Sequence, residues 1–359
     1  MMPSLSDSLP LKRGAPMKNR FMLAPLTNQQ SHADGTLSDA EYRWLTMRAE
    51  GGFALTMTCA AHVQKGGQAF EGQLGIWSDA HLPGLARLAA TIRANGSLSA
   101  VQLHHGGRRT VPALSGEPIR APWDDEETGA TALSTGEVEQ VRDDFIAAAL
   151  RAEKAGFDGV ELHGAHGYLL GSFMDAGHNL RTDRYGTSFE NRARLLLEIV
   201  DGIRAQAGPG FQLGVRISPE RFGILLPEAR ELARILLAGG QLDYLDLSLW
   251  DVFKQPEGDA YANTRLIDHF TDLPRNGTAV GVAGKITTAA RARDCLEAGA
   301  DFALIGRGAV LHHDFPKLAL ANPDFTARPL PVSRETLAEE GLSDSFISYM
   351  GNWKGFVAA

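Results

Sequence analysis

Residues 280–308 open on Val280-Gly281-Val282-Ala283-Gly284-Lys285-Ile286-Thr287 and close on Phe302-Ala303-Leu304-Ile305-Gly306-Arg307-Gly308. Each run is a short apolar strand that ends in glycine just before helical sequence. Between them, Thr287–Ala298 reads as a helix closed by Gly299, a C-cap. Glycine at such points makes a tight turn and nothing more, or it lets backbone N–H groups approach an anion at a helix start. Two adjacent loops of this kind, with Arg307 to neutralise charge, favour a phosphate cradle of the sort found after the last two strands of a parallel barrel.

Six more apolar runs precede these two: Phe21–Ala24, Ala54–Thr58, Ala100–Leu103, Gly159–Leu162, Gln212–Ile217 and Tyr244–Leu247. With Ala279–Val282 and Phe302–Ile305 they make eight candidate strands separated by helical patterns. Ser134-Thr135-Gly136-Glu137 reads as a helix start, and Val141, Phe145, Ala148 and Ala152 follow at helical spacing before Gly156. Asn191–Arg204 places Leu195, Leu196, Ile199 and Ile203 on one face. Eight strands with helical crossovers predict an α/β fold, a single (β/α)8 TIM barrel over residues 1–359 with long loops at its C-terminal face. The Pro- and Gly-rich segment Gly106–Thr135 is read as one of those loops, following the third strand. In the tail, residues 340–359, Phe346, Tyr349, Trp353 and Phe356 recur at helical spacing. This stripe is read as a packing face, against the barrel or against a neighbouring subunit.

The chain has 359 residues, a formal net charge of −8 and 44% apolar residues, enough for a large core. An acidic balance without basic, aromatic-interleaved runs argues against nucleic acid. No uninterrupted apolar stretch of about eighteen residues suggests a membrane span, and no secretory leader is recognised. Cys59 and Cys295 are the only cysteines. They are read as reduced core thiols of a cytoplasmic protein, too few to hold an iron–sulfur cluster.

The chemistry gathers at strand ends. Gly159-Val160-Glu161-Leu162-His163-Gly164-Ala165-His166-Gly167-Tyr168 carries a buried strand into His163, and the turn presents His166 and Tyr168. Two imidazoles can donate to one carbonyl oxygen, and a phenol can give a proton. Satisfied structural side chains, an oxyanion-binding pair and a metal site all remain open on this local sequence, although His-x-x-His lacks a nearby carboxylate or thiolate ligand. Gln102 ends the third strand. Arg216 lies inside an apolar strand, so it must be paired or face a ligand.

Lys18-Asn19-Arg20-Phe21-Met22-Leu23-Ala24-Pro25-Leu26-Thr27, Val101-Gln102-Leu103-His104-His105-Gly106-Gly107-Arg108, His163-Gly164-Ala165-His166-Gly167-Tyr168-Leu169-Leu170 and Asn179-Leu180-Arg181-Thr182-Asp183-Arg184-Tyr185-Gly186, followed by Glu190-Asn191-Arg192, resemble the Old Yellow Enzyme family over nearly the whole chain. The resemblance implies FMN, tightly but non-covalently bound, and NADPH or NADH as hydride donor. It implies flavin contacts from Ala24, Pro25, Leu26, Thr27, Gln102, His163, Arg216, Ala283, Gly284, Gly306 and Arg307. Cys59 is read as either a flavin-edge contact or a small core filler. By the same resemblance His163 and His166 grip the oxygen of an activated alkene, and Tyr168 donates the proton. No metal, nucleic-acid or membrane partner is expected, and a homo-oligomer is left open. Another flavin barrel dehydrogenase, a quinone or nitro reductase, a non-catalytic flavin binder and a metal-dependent hydrolase stand as alternatives.

Overall fold

Alternation of inward and outward side chains builds the centre of the fold. In a computed structural model, which describes residues 3–358, the apolar runs form strands β1 (Phe21–Leu23), β2 (Leu55–His62), β3 (Leu98–His104), β4 (Gly159–Gly164), β5 (Gln212–Ile217), β6 (Tyr244–Ser248), β7 (Ala279–Ala283) and β8 (Phe302–Ile305). Every strand pairs in parallel with the next, and β8 closes on β1 through Phe21↔Ala303 and Leu23↔Ile305. The result is a closed eight-stranded barrel. Its main crossovers are α1 (Asp39–Glu50), α2 (Leu82–Ala94), α3 (Thr135–Lys154), α4 (Phe189–Gln206), α5 (Leu226–Ala238), α6 (Asp268–Thr271) and α7 (Ala289–Glu297).

The alternation divides the core in two. Met22, Leu55, Met57, Ala100, Tyr244, Phe302 and Leu304 pack together inside the barrel. Leu23, Val101, Leu103, Val160, Leu162, Leu213 and Val215 belong to a larger core that includes the apolar faces of the helices. Gly214 and Gly281 make room inside the barrel: a Cβ there would fall 2.2 Å from the Tyr244 ring and 2.3 Å from the Phe302 ring.

Helix starts follow their caps. Ser134 accepts from the Glu137 N–H in a capping box, and Val141, Phe145, Ala148 and Ala152 are buried as the periodicity requires. Thr288 caps α7, and Gly299 takes φ +92° after it. The expected long loop after β3 is more ordered than its Pro and Gly content suggested. It holds a helical turn at Pro112–Ser115, and Arg120–Ala121 pairs with Thr131–Ala132.

After β8 come α8 (Phe315–Ala321) and, near the end of the chain, α9 (Asp344–Gly351). The tail packs on its own barrel: Phe346 meets Trp44 of α1 edge-on at 4.8 Å between centroids, and both are buried. Among the described residues no helix is long and apolar enough to cross a membrane.

Candidate active site

The C-terminal ends of the strands open into two adjoining cavities of about 520 and 200 Å³, which share Pro25, Leu26, His166, Arg216 and Arg307. They form one cleft, running from the turn after β4 to the glycine loops after β7 and β8.

The β4 turn is built by backbone the sequence makes expensive. His166 takes φ +60° and Gly167 φ +69°. A left-handed conformation at a non-glycine residue costs about 1–2 kcal/mol, and here the His166 N–H donates to Ser218 Oγ at 3.0 Å. The turn swings the His166 ring back beside His163, with His166 Nδ1 3.3 Å from His163 Nε2. The Ala165 N–H donates to His163 Nδ1 at 3.2 Å, so the His163 proton sits on Nε2. His166 Nε2 lies 2.7 Å from Ser248 Oγ, which in turn lies 3.4 Å from Arg216 Nη2.

Two proton arrangements are open to these groups, the first keeping the His163–His166 hydrogen bond and the second giving it up. His166 accepts from His163 and donates to Ser248, or Ser248 accepts from Arg216 and donates to His166 Nε2. In the second, both imidazole N–H groups point into the gap between the rings, where an oxygen acceptor would receive two hydrogen bonds. Both rings are neutral near neutral pH. Burial holds His163 well below the usual imidazole range, and burial together with Arg216 holds His166 down to about 3.

Tyr168 stands beside this pair, its ring 5.1 Å from His163 and 4.3 Å from His104 between centroids. The Arg109 guanidinium lies 5.2 Å from its ring. Among the described residues its hydroxyl has no protein hydrogen-bond partner.

Arg216 answers both alternatives the sequence posed. Its Nε is 3.0 Å from Asp246 Oδ2, with the two side chains 8% and 0% exposed, and it also lines both cavities. Gln102 lines the larger cavity and donates from Nε2 to Glu161 Oε1 at 2.8 Å. Thr27 lies at that end too, while Ala24, Ala283, Gly284 and Gly306 line the smaller cavity. A Cβ on Gly306 would meet only Leu26 Cδ2 at 3.6 Å and Ala24 Cβ at 3.9 Å, so this strand end leaves open room in the cleft.

Cys59 does not reach the cleft. The pairing of β2 with β3 shifts between Met57 and Ala60, a β-bulge that changes which residues face inward. Leu55 and Met57 face the barrel interior, but beyond the bulge Ala60 lines the cleft and Cys59 is buried in the outer core beside Glu41.

Several lining residues were not singled out from sequence. Tyr349 and Trp353 of the tail form a wall of the larger cavity, which Thr27 also lines. Ser248 links His166 to Arg216. Glu161 and Asp246 carried the same signal as Arg216, a lone charge in an apolar strand. Among the described residues no three His, Cys, Asp or Glu side chains are grouped to hold a metal ion.

Residues 9–232 match the NADH:flavin oxidoreductase / NADH oxidase family. The chain is 35% identical over 314 residues to a probable NADH-dependent flavin oxidoreductase, YqiG, of Bacillus subtilis, covering 84% of each chain. It is 32% identical to a probable flavin mononucleotide-dependent alkene reductase of Leishmania infantum, covering 92% of this chain and 94% of the relative. Among solved structures, an old yellow enzyme homologue from Zymomonas mobilis superposes with a TM-score of 0.81 at 26% identity, covering 96% of this chain and 99% of that one.

Proposed function

The chain belongs to the NADH:flavin oxidoreductase / NADH oxidase family, and from that premise we propose that it reduces activated alkenes, α,β-unsaturated carbonyl or nitro compounds, at the cleft between His163, His166 and Tyr168. It is an FMN-dependent NAD(P)H oxidoreductase. The cleft suits the cofactor: a buried guanidinium, Arg216, stands where the two cavities meet, and at one end Gly306 leaves a space that any side chain would enter. On this reading Ala24, Pro25, Leu26, Thr27, Gln102 and Arg216 hold the ring system. Ala283, Gly284, Gly306 and Arg307 hold the phosphate, and residues 1–359 act as one FMN-binding unit.

Bound flavin supplies a hydride acceptor towards NAD(P)H and a hydride donor towards the alkene. The protein supplies the rest. An incoming carbonyl or nitro oxygen enters the gap between the imidazoles and accepts from His163 Nε2 and His166 Nδ1. Ser248 supports that choice of tautomer by donating to His166 Nε2 while Arg216 occupies its oxygen. The two donors draw charge onto the substrate oxygen and leave the β-carbon electrophilic. Tyr168 then gives its hydroxyl proton to the α-carbon. With FMN in the cleft, Arg216 would offer positive charge to the reduced ring system.

The observation that carries the reading is the 3.3 Å approach of the two imidazole nitrogens with a phenol, free of protein partners, beside them. The test separates two half-reactions. Tyr168→Phe removes only the hydroxyl, so FMN content and flavin reduction by NAD(P)H are expected to stay near wild type. Turnover of an enone such as 2-cyclohexenone should fall by about 10²–10⁴-fold, the usual cost of losing a general acid. Stopped-flow traces showing both half-reactions slowed equally would assign Tyr168 to positioning and sink the proton-donor role.

A further inference from the structure

Beneath the cleft, beside Arg216, the barrel holds two carboxylates that the reaction above leaves unused. Three adjacent strands bring a carboxylate or guanidinium together inside the barrel: Glu161 from β4, Arg216 from β5 and Asp246 from β6. Arg216 and Asp246 are register partners across β5 and β6, and Glu161 lies beside Gln102 across β3 and β4. The two carboxylates are 0% exposed and Arg216 is 6% exposed. Asp246 Oδ2 lies 3.0 Å from Arg216 Nε as an ion pair without hydrogen-bond geometry, so both Asp246 oxygens, Arg216 Nε and Glu161 Oε2 lack hydrogen-bond partners.

Charge counting constrains this group. Two carboxylates face one guanidinium, so full ionisation would leave a net buried negative charge, which is costly. The surroundings offer no second cation. The opposite register partner of Asp246 on β7 is Gly281. Tyr244, on β6 itself, is kept neutral by burial and by Glu161. The histidines flanking Arg216, His163 and His166, are neutral as well. Asp243, at the far end of β6, is engaged by Arg204 and Arg13. The carboxylates therefore retain one proton between them. Burial raises both groups, and repulsion from Asp246 raises Glu161 further, while Arg216 opposes the rise in each. Asp246, in contact with Arg216, keeps the charge, and Glu161 keeps the proton.

We propose that Asp246 is a positioning residue that orients Arg216 and takes up a proton from solvent when the bound FMN is reduced. The inference rests on the reading that Arg216 faces the flavin ring. In the oxidised protein Asp246 balances Arg216. Hydride from NAD(P)H brings two electrons and one proton to the flavin and leaves one negative charge there, while NAD(P)+ departs. Two anions then compete for one guanidinium. A solvent proton forms an O–H bond on Asp246 and removes the excess charge; reoxidation by the substrate releases that proton again.

The test is the midpoint potential of the FMN-loaded protein between pH 6 and pH 8. Wild type is expected to take up one proton more per two electrons than Asp246→Asn, which steepens its pH dependence by about 30 mV per pH unit. At pH 8, where wild-type Asp246 is charged before reduction, Asp246→Asn should favour the reduced state by about tenfold, equivalent to about 30 mV for a two-electron couple. Glu161→Gln replaces one neutral group by another and should keep the wild-type slope. An Asp246→Asn protein with wild-type slope and potential overturns the proposal, as does loss of the slope in Glu161→Gln instead. Arg216→Met separates the premise: it should lower the potential, and an unchanged value there refutes the placement of Arg216 itself. If Asp246→Asn does not hold FMN, wild type alone decides. Its reduced-minus-oxidised infrared spectrum should gain the carbonyl band of a newly protonated carboxylic acid, and absence of that band overturns the proposal.

Discussion

Gly284 and Gly306 end neighbouring strands, yet they answer to different constraints. Gly284 has φ +152°, and a Cβ there would fall 2.8 Å from the Asp251 nitrogen and the Trp250 carbonyl carbon, both backbone atoms. Gly306 has no such obstacle, because its Cβ would enter the cleft. Gly284→Ala is therefore expected to lower the melting temperature of the apoprotein. Gly306→Ala should leave the apoprotein melt unchanged and weaken FMN about tenfold, a loss of about 1.4 kcal/mol. Thermal melts and fluorescence titration with FMN distinguish the two, and wild-type FMN affinity in Gly306→Ala would remove that glycine from the cradle. At this scale the sequence was legible wherever an apolar run marked a strand end: His163, His166, Arg216 and the two glycines all reach one cleft. Glu161 and Asp246 were not singled out, although the argument applied to Arg216 reaches them, since each buried charge requires a partner and the three strands are neighbours. Cys59 was not legible, because nothing in Leu55-Thr56-Met57-Thr58-Cys59-Ala60-Ala61-His62 marks the bulge that turns its thiol outward.

Helix α9 shows what periodicity conveys at the scale of an element. The tail's aromatic stripe predicted a packing face, and Phe346 does pack, buried against Trp44. Phe346 also touches the larger cavity, but further along the tail Tyr349 and Trp353 wall it more openly, and Trp353 remains 38% exposed. A helical repeat reports which residues share a side, not whether that side meets core or an opening, so this division was hidden. The eight strands were legible because each is a short, mainly apolar run, whereas the β3 loop was not, because Pro and Gly mark turns without reporting the pairing between them. The division of the tail has a measurable consequence. Phe346→Ala should destabilise the protein by about 3–5 kcal/mol, as truncation of a buried aromatic does. Trp353→Ala should change stability by only about 0.5 kcal/mol, as at a surface position, while shifting kcat/KM between small and bulky enones in favour of the bulky ones. Unaltered substrate preference in Trp353→Ala would place that wall outside the reach of substrate.

The barrel as a whole carries a liability towards acid. The ends of β2, β3 and β4 and the turn after β4 concentrate histidines whose burial holds them neutral. His62 is pulled down to about 4, His105 to about 3 and His166 to about 3, and His104 and His163 lie well below their usual range. In the unfolded chain each titrates near its ordinary value of about 6.5. Between those limits the unfolded chain binds more protons, so the folded state is fully favoured above pH 6.5 and loses stability as pH falls. At pH 5 the loss is about 2 kcal/mol for each such histidine, since a pH unit is worth about 1.4 kcal/mol. The buried carboxyls act the other way: Glu41, Glu161, Asp243 and Asp246 are raised, so the folded state binds more protons there and gains as pH falls through their range. Four carboxyls oppose these five histidines and the likewise lowered His312, and the histidines prevail. Thermal melts of the FMN-loaded protein are therefore expected to be highest at or above pH 7 and to drop steeply between pH 6.5 and pH 4. His105→Asn deletes one of the titrating groups outside the cleft and should make the slope shallower. A melting temperature that stays level from pH 7 to pH 5 would mean that these rings are protonated in the folded barrel and find anionic partners there.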